Sequence, residues 1–293
     1  MRRWSAELAL VGNALIWGST FVVVKEALND ASVLLFLALR FALASVILGA
    51  AFRPLPSKFA AGRPVVTAGF VSGLFLFAGY VLQTFGLRYT TASKSAFLTG
   101  LSIVMVPVMA AAVRRRRPDA AEAAGVAVAT VGLALLTLNG PITNVNVGDI
   151  LTIGCAAAFA GQILVVGHFV PRFGFQAITL MQVATSAVLS GGLFWWAEPV
   201  FVHWTAGLMI ALAVTAVLAT AVAFSVMSWA QQYTSPTRTA LIFSLEPVFA
   251  WATSYVVAGE VLSPRAAAGA ALILGGIVLV ELKPFGLRKR PGK

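Results

Sequence analysis

Residues 239–259 read TALIFSLEPVFAWATSYVVAG, a run of apolar or small residues interrupted by Glu246 and Pro247. An ionised acid at the middle of a bilayer costs about 2.5–3.5 kcal/mol, so such a group should face water, a partner or a substrate. Three chemistries fit Glu246. It could be the counter-charge for a substrate ammonium group, a proton carrier, or a buried acid kept neutral or paired with Arg40. Arg40 lies about eight residues into its own apolar run. Pro247 removes a backbone hydrogen bond beside the acid and could loosen the helix there. Pro107 could do the same in an earlier run, but Trp251 occupies its repeat position, so the device is not symmetric.

Other polar residues fall at helical spacing. Ser95, Thr99 and Ser102 share one face, as do Thr239, Phe243 and Glu246. Asn13, Trp17 and Thr20 form a third such set, and Tyr80, Gln83 and Thr84 a fourth. Gln162 and Trp229 also sit inside apolar runs. For any one hydroxyl, bonding back to its own helix is the bland alternative. Trp17 and Tyr80 lie deep enough to wall a cavity for flat apolar groups. Trp4, Trp195, Trp196 and Trp204 lie near span ends and read as interfacial anchors. His168 and His203 have no second ligand at metal spacing, and the single Cys155 excludes a thiolate cluster or an internal disulfide. No metal site and no cofactor are expected. Neither GxxxxGK[ST], HExxH nor GxSxG occurs, so neither ATP-driven nor familiar hydrolytic chemistry is expected, and the chain does not read as an enzyme.

The elements holding these residues are membrane spans. Only 11% of residues are charged, against roughly 25% in soluble domains. Mean hydropathy is +0.91, and apolar runs long enough to cross a bilayer recur throughout. Ten spans are expected, at 5–28, 32–52, 64–87, 92–113, 120–138, 148–170, 176–196, 204–230, 237–258 and 263–282. If the N-terminus is inside, sixteen of the twenty-one lysines and arginines fall on the inner side. Both termini are therefore expected in the cytoplasm. The net charge of +11 is then a topology signal, with no nucleic-acid partner.

A shift of 144 residues lays Tyr89-Thr90 on Tyr233-Thr234, Lys94 on Arg238, Ala123-Ala124-Gly125 on Ala267-Ala268-Gly269, and Gly132 on Gly276. Ser102 falls on Glu246. Each unit holds five spans, an odd number, so the second enters the membrane from the opposite side. The expected fold is an all-α polytopic membrane protein with ten transmembrane helices as two inverted five-helix repeats, divided as 1–141 and 142–293. Such folds place their substrate near the midplane between the halves. Small residues at every fourth position, Ala121, Gly125 and Ala129 in the fifth span and Ala267, Ala271 and Gly275 in the tenth, suggest close packing or a homodimer.

The stretches IWGSTFVVVKEAL (16–28), LALRF (37–41), LEPVFAW (245–251) and AGEVLSPRAAAGAALILGGIVLV (258–280) resemble the EamA-type branch of the drug/metabolite transporter superfamily. The resemblance runs from the first span to the last. Its Trp-Gly, intramembrane Arg, Glu-Pro and late Gly-Glu elements map onto Trp17-Gly18, Arg40, Glu246-Pro247 and Gly259-Glu260. The first repeat departs from the second, with Arg116-Arg117 opposite Glu260-Val261 and Ser102 opposite Glu246, which argues against a symmetric two-acid coupling scheme. The resemblance implies a multi-pass secondary transporter of the bacterial inner membrane. It is similar to exporters of aromatic amino acids and related metabolites. A facilitative pore, an exporter of drugs or nucleobases, and a membrane-embedded enzyme remain as alternatives.

Overall fold

The computed structural model describes residues 2–53, 62–90, 92–114, 120–137, 146–258 and 263–282. The expected Gly259-Glu260 element, Arg116-Arg117 and the basic tail from Lys283 lie outside the described residues.

The described chain forms ten spans. The first three are Arg2–Ala27, Val33–Ala51 and Arg63–Tyr89. The fourth is broken into Ala92–Gly100 and Ser102–Arg114, and the fifth is Ala120–Thr137. The sixth and seventh are Val147–Phe173 and Phe175–Ala197, and the eighth runs over Ala206–Ala230. The ninth is broken into Pro236–Phe243 and Glu246–Ala258, and the tenth is Pro264–Leu282. Caps fall where short polar residues precede apolar runs. Asn146 and Asp149 form a reciprocal capping box, Thr205 accepts from the Leu208 N–H, and Ser235 accepts from the Arg238 N–H.

The packing follows the repeat. The second span lies on the seventh and the fifth on the tenth, each pair joining equivalent elements. The third packs on the sixth, and its counterpart, the eighth, packs on the first. This is the pattern a pseudo-two-fold axis in the membrane plane produces.

Three details differ from a plain ten-helix reading. The fourth and ninth spans break at matching places, Leu101 and Ser244-Leu245, 144 positions apart. At both breaks the backbone N–H groups reach back only three residues, Leu101 to Leu98 and Leu245 to Ile242. The backbone device is therefore symmetric although the prolines are not. Pro247 is the second residue of its half-helix, a tolerated position, whereas Pro107 lies well inside Ser102–Arg114 and not at the break.

The eighth span carries a π-helical segment at Val217–Val222, where the Thr220 hydroxyl donates to Thr215 O, five residues back. Such a bulge frees carbonyls that need donors from outside the helix.

The small-residue face of the fifth span packs closely within the chain, one of its two expected uses, whereas that of the tenth does not. Gly125 and Ala129 are buried within the chain against Gly276, and Gly132 meets Gly269. A Cβ on Gly132 would lie 2.6 Å from Gly269 O. Ala267, Ala271 and Gly275 point the other way and are exposed.

Candidate functional site

The structure brings Glu246 to the wall of a central cavity of about 90 Å³. Polar and aromatic residues from both halves line it. Trp17, Arg40, Tyr80, Gln83, Thr99 and Ser102 come from the first half, and Gln162, Phe243, Glu246 and Pro247 from the second. The helix breaks contribute directly, since Gly100, Ser102, Ser244 and Glu246 all line the cavity. Unwound backbone at this depth is tolerable because it faces protein and a cavity and not lipid.

Arg40 is almost wholly buried. Its Nε donates to the Thr220 hydroxyl at 2.7 Å, and its Nη2 donates to the Tyr80 hydroxyl at 3.0 Å and to Ala219 O at 3.3 Å. The guanidinium also lies 4.5 Å from the Tyr80 ring centroid. It thus satisfies the carbonyl freed by the π segment. Trp17 Nε1 donates to the same Ala219 O at 2.9 Å, and Asn13 Nδ2 donates to Ala223 O at 2.7 Å. The expected alternative in which Arg40 pairs with Glu246 is not what forms. Among the described residues the Glu246 carboxylate takes neither a hydrogen bond nor an ion pair.

Gly18 sets the position of the acid. A side chain there would collide with the carbonyl oxygen of Glu246 and come within 3.0 Å of Ala250 N. The Trp17-Gly18 pair therefore has two separable jobs, one a donor to the eighth span and the other a close backbone approach to the ninth.

The apolar wall is aromatic. Trp17 stands 4.8 Å from Phe243 and 5.3 Å from Phe224, centroid to centroid. Tyr80 stands edge-on to Phe159 at 5.4 Å. On the polar side Gln83 Nε2 donates to the Thr99 hydroxyl at 3.3 Å, and Gln162 Nε2 donates to Gln182 Oε1 at 2.8 Å.

Four expected site residues lie off the cavity. Asn13 is committed to Ala223 O, and the Thr239 hydroxyl bonds back to Ser235 O, which is the bland helical alternative. Ser95 is buried and its Oγ has no hydrogen-bond partner; Trp229 stands edge-on to Tyr233 at 5.5 Å. The sequence reading did not single out Phe159, Phe224 or Met227 as lining residues. Phe159 had a signal available. Gly12 and Gly154 mark a register of 142 for the first and sixth spans, which carries Trp17 onto Phe159.

A central cavity lined from both halves of an all-helical, membrane-spanning chain, with one carboxylate unpaired among the described residues, is the arrangement expected of a membrane transporter of small molecules. The EamA-like transporter family model matches residues 4–138 and again 146–282. The chain belongs to that family and is a multi-pass membrane transporter, with the bilayer and a small-molecule substrate as its partners. It is 35% identical over 283 residues to a protein of Archaeoglobus fulgidus named only as an uncharacterized transporter, covering 97% of this chain and 88% of that one. It is 26% identical over 301 residues to a probable terminal-alkyne amino-acid exporter of Streptantibioticus cattleyicolor, covering the whole of both chains. A crystal structure at 19% identity shares the fold, with a TM-score of 0.79 over 95% of this chain and 97% of that one.

Proposed function

We propose that this transporter exports amino acids with aromatic or large apolar side chains, or related small metabolites, across the bacterial inner membrane by alternating access. Both termini are in the cytoplasm in this reading, as the distribution of basic residues indicates. The two halves, 1–141 and 142–293, rock about the central cavity. A homodimer would use the exposed face of Ala267, Ala271 and Gly275.

The observation that carries the reading is the unpaired Glu246 carboxylate beside an aromatic wall of Trp17, Phe224 and Phe243. An α-ammonium group would supply the missing counter-charge, and a flat side chain would fill the space between the rings. Gln83 and Thr99 offer neutral hydrogen-bond groups for the rest of the backbone-like head. At about 90 Å³ the cavity holds a few waters, whereas ligand sites are typically 300–1,000 Å³. In this reading the cavity widens around the substrate as the halves part.

Counterflow in proteoliposomes tests this. Vesicles are preloaded with single amino acids, and uptake of trace labelled phenylalanine or tryptophan is followed at equal pH on both sides. Saturable acceleration by aromatic or large apolar preloads is expected in the native protein, with loss of it in Glu246→Gln. No acceleration by any amino acid would overturn the substrate class, and flux without saturation would overturn the carrier.

A further inference from the structure

The two ends of the transport path carry matching polar contacts that join one half to the other. At the end holding the N-terminus, Arg238 Nη1 lies 3.2 Å from Glu7 Oε1, and the Thr234 hydroxyl lies 3.4 Å from the same oxygen. Glu7 belongs to the first half, and Thr234 and Arg238 to the second. At the other end the Thr90 hydroxyl of the first half donates to Asp149 Oδ1 of the second at 2.8 Å. All three of Glu7, Thr90 and Asp149 are buried, and the Arg238 side chain is only 11% exposed.

The contacts correspond through the repeat. The family matches begin at 4 and 146, a shift of 142, which carries Glu7 onto Asp149. Near the fourth and ninth spans the shift is 144, which carries Thr90 onto Thr234 and Lys94 onto Arg238. An acid at the start of one half thus meets a threonine at the entry to a broken span, first from one side and then from the other. Their placement along the helices also agrees. Glu7 precedes Trp17 by ten residues and Asp149 precedes Phe159 by ten, about 15 Å of helix in each case. Both aromatic residues line the cavity.

We propose that Glu7–Arg238–Thr234 and Asp149–Thr90 are the two gates of the carrier, each closing one end of the cavity and each opened when the halves part at that end. This rests on the alternating-access reading but not on the substrate. Both contacts are formed in this structure. The first gate is only half satisfied when shut, because Glu7 Oε2 is buried with no hydrogen-bond partner. A contact of that kind holds an end closed without locking it. Arg3 also reaches Glu7 Oε1, at 2.8 Å, but from the same helix, so it stays with the acid when the gate opens.

The test uses a cysteine reporter and needs no substrate. In a Cys155→Ser background, Thr20→Cys places a thiol on the cavity wall, and a membrane-impermeant maleimide is added to one face of oriented vesicles at a time. Arg238→Ala should raise the labelling rate from the N-terminal face about tenfold, the shift expected for losing roughly 1.4 kcal/mol. Thr90→Val, which removes the hydroxyl donor and leaves the Asn146–Asp149 cap intact, should raise it from the opposite face. The swap Glu7→Arg with Arg238→Glu should return labelling toward the parent rate, which separates gating from misfolding. Equal rises from both faces, or no rise in a variant that elutes as a folded protein, would overturn the proposal. Because labelling is read without amino acid, a negative counterflow result leaves this test intact.

Discussion

Replacing Gly18 by alanine puts one methyl group into a contact with no room for it. The new Cβ would collide with the Glu246 carbonyl oxygen and lie 3.0 Å from Ala250 N and 3.3 Å from the Glu246 carbonyl carbon. These are backbone atoms, so no rotamer change relieves the clash, and the ninth span must move bodily. Overpacking of this kind costs about 1–3 kcal/mol. Gly12→Ala, on the same helix, is the control, because a Cβ there meets nothing within 4 Å. It should instead gain up to about 1 kcal/mol of helix propensity. Both alanines share that propensity gain, so the two single-methyl variants should differ by about 1–3 kcal/mol, or roughly 2–5 °C in melting temperature for a chain of this size. Transport should separate them further. Moving Glu246 by about 1 Å can cost up to 10²-fold in rate, if ligand positioning here behaves as it does in enzymes. Thermal unfolding in detergent and counterflow on both variants check this. Equal melting temperatures with equal transport would refute the close approach and the role assigned to Gly18.

Arg40→Lys cannot hold Thr220, Tyr80 and Ala219 at once, and losing one or two of these bonds at roughly 1.5–3 kcal/mol each should lower stability by about 2–6 kcal/mol. Chemical unfolding checks this, and Tyr80→Phe, which loses one such bond, should fall by less. Pro247→Ala restores an N–H that can reach Phe243 O across the break, so counterflow turnover should fall severalfold while KM stays within about twofold. Stability should move by less than about 1 kcal/mol, because proline is tolerated at that helical position. Cys155 is fully buried, so maleimide should leave it unmodified in the native protein and react with one thiol per chain after denaturation; modification of the folded protein would contradict this.

Much of the fold could be read from the chain because the signals are local. Span positions follow from hydropathy over windows of about twenty residues, and the repeat follows from Tyr-Thr, basic and glycine residues that recur at one spacing. The same reading found most of the polar cavity wall, since a Glu, Arg, Gln or Tyr deep in an apolar run is too costly to be accidental. It failed where the decision was three-dimensional. Twenty phenylalanines look alike in sequence, and only packing sets Phe159 and Phe224 apart from the rest. Thr239 shares a helical face with Glu246, yet its hydroxyl turns back to its own helix. No residue type announces the π segment at Val217–Val222; it becomes tolerable only because Trp17, Arg40 and Asn13 arrive from other spans to bond the carbonyls around it. By depth alone Glu246 was the expected partner of Arg40, but tertiary distance gave the arginine Tyr80 and Thr220 and left Glu246 without a protein partner among the described residues. Sequence determined which groups had to be buried. Only the tertiary structure decided which of them satisfy one another and which is left facing the cavity, because hydrogen bonds act over about 3 Å between residues as many as 231 positions apart.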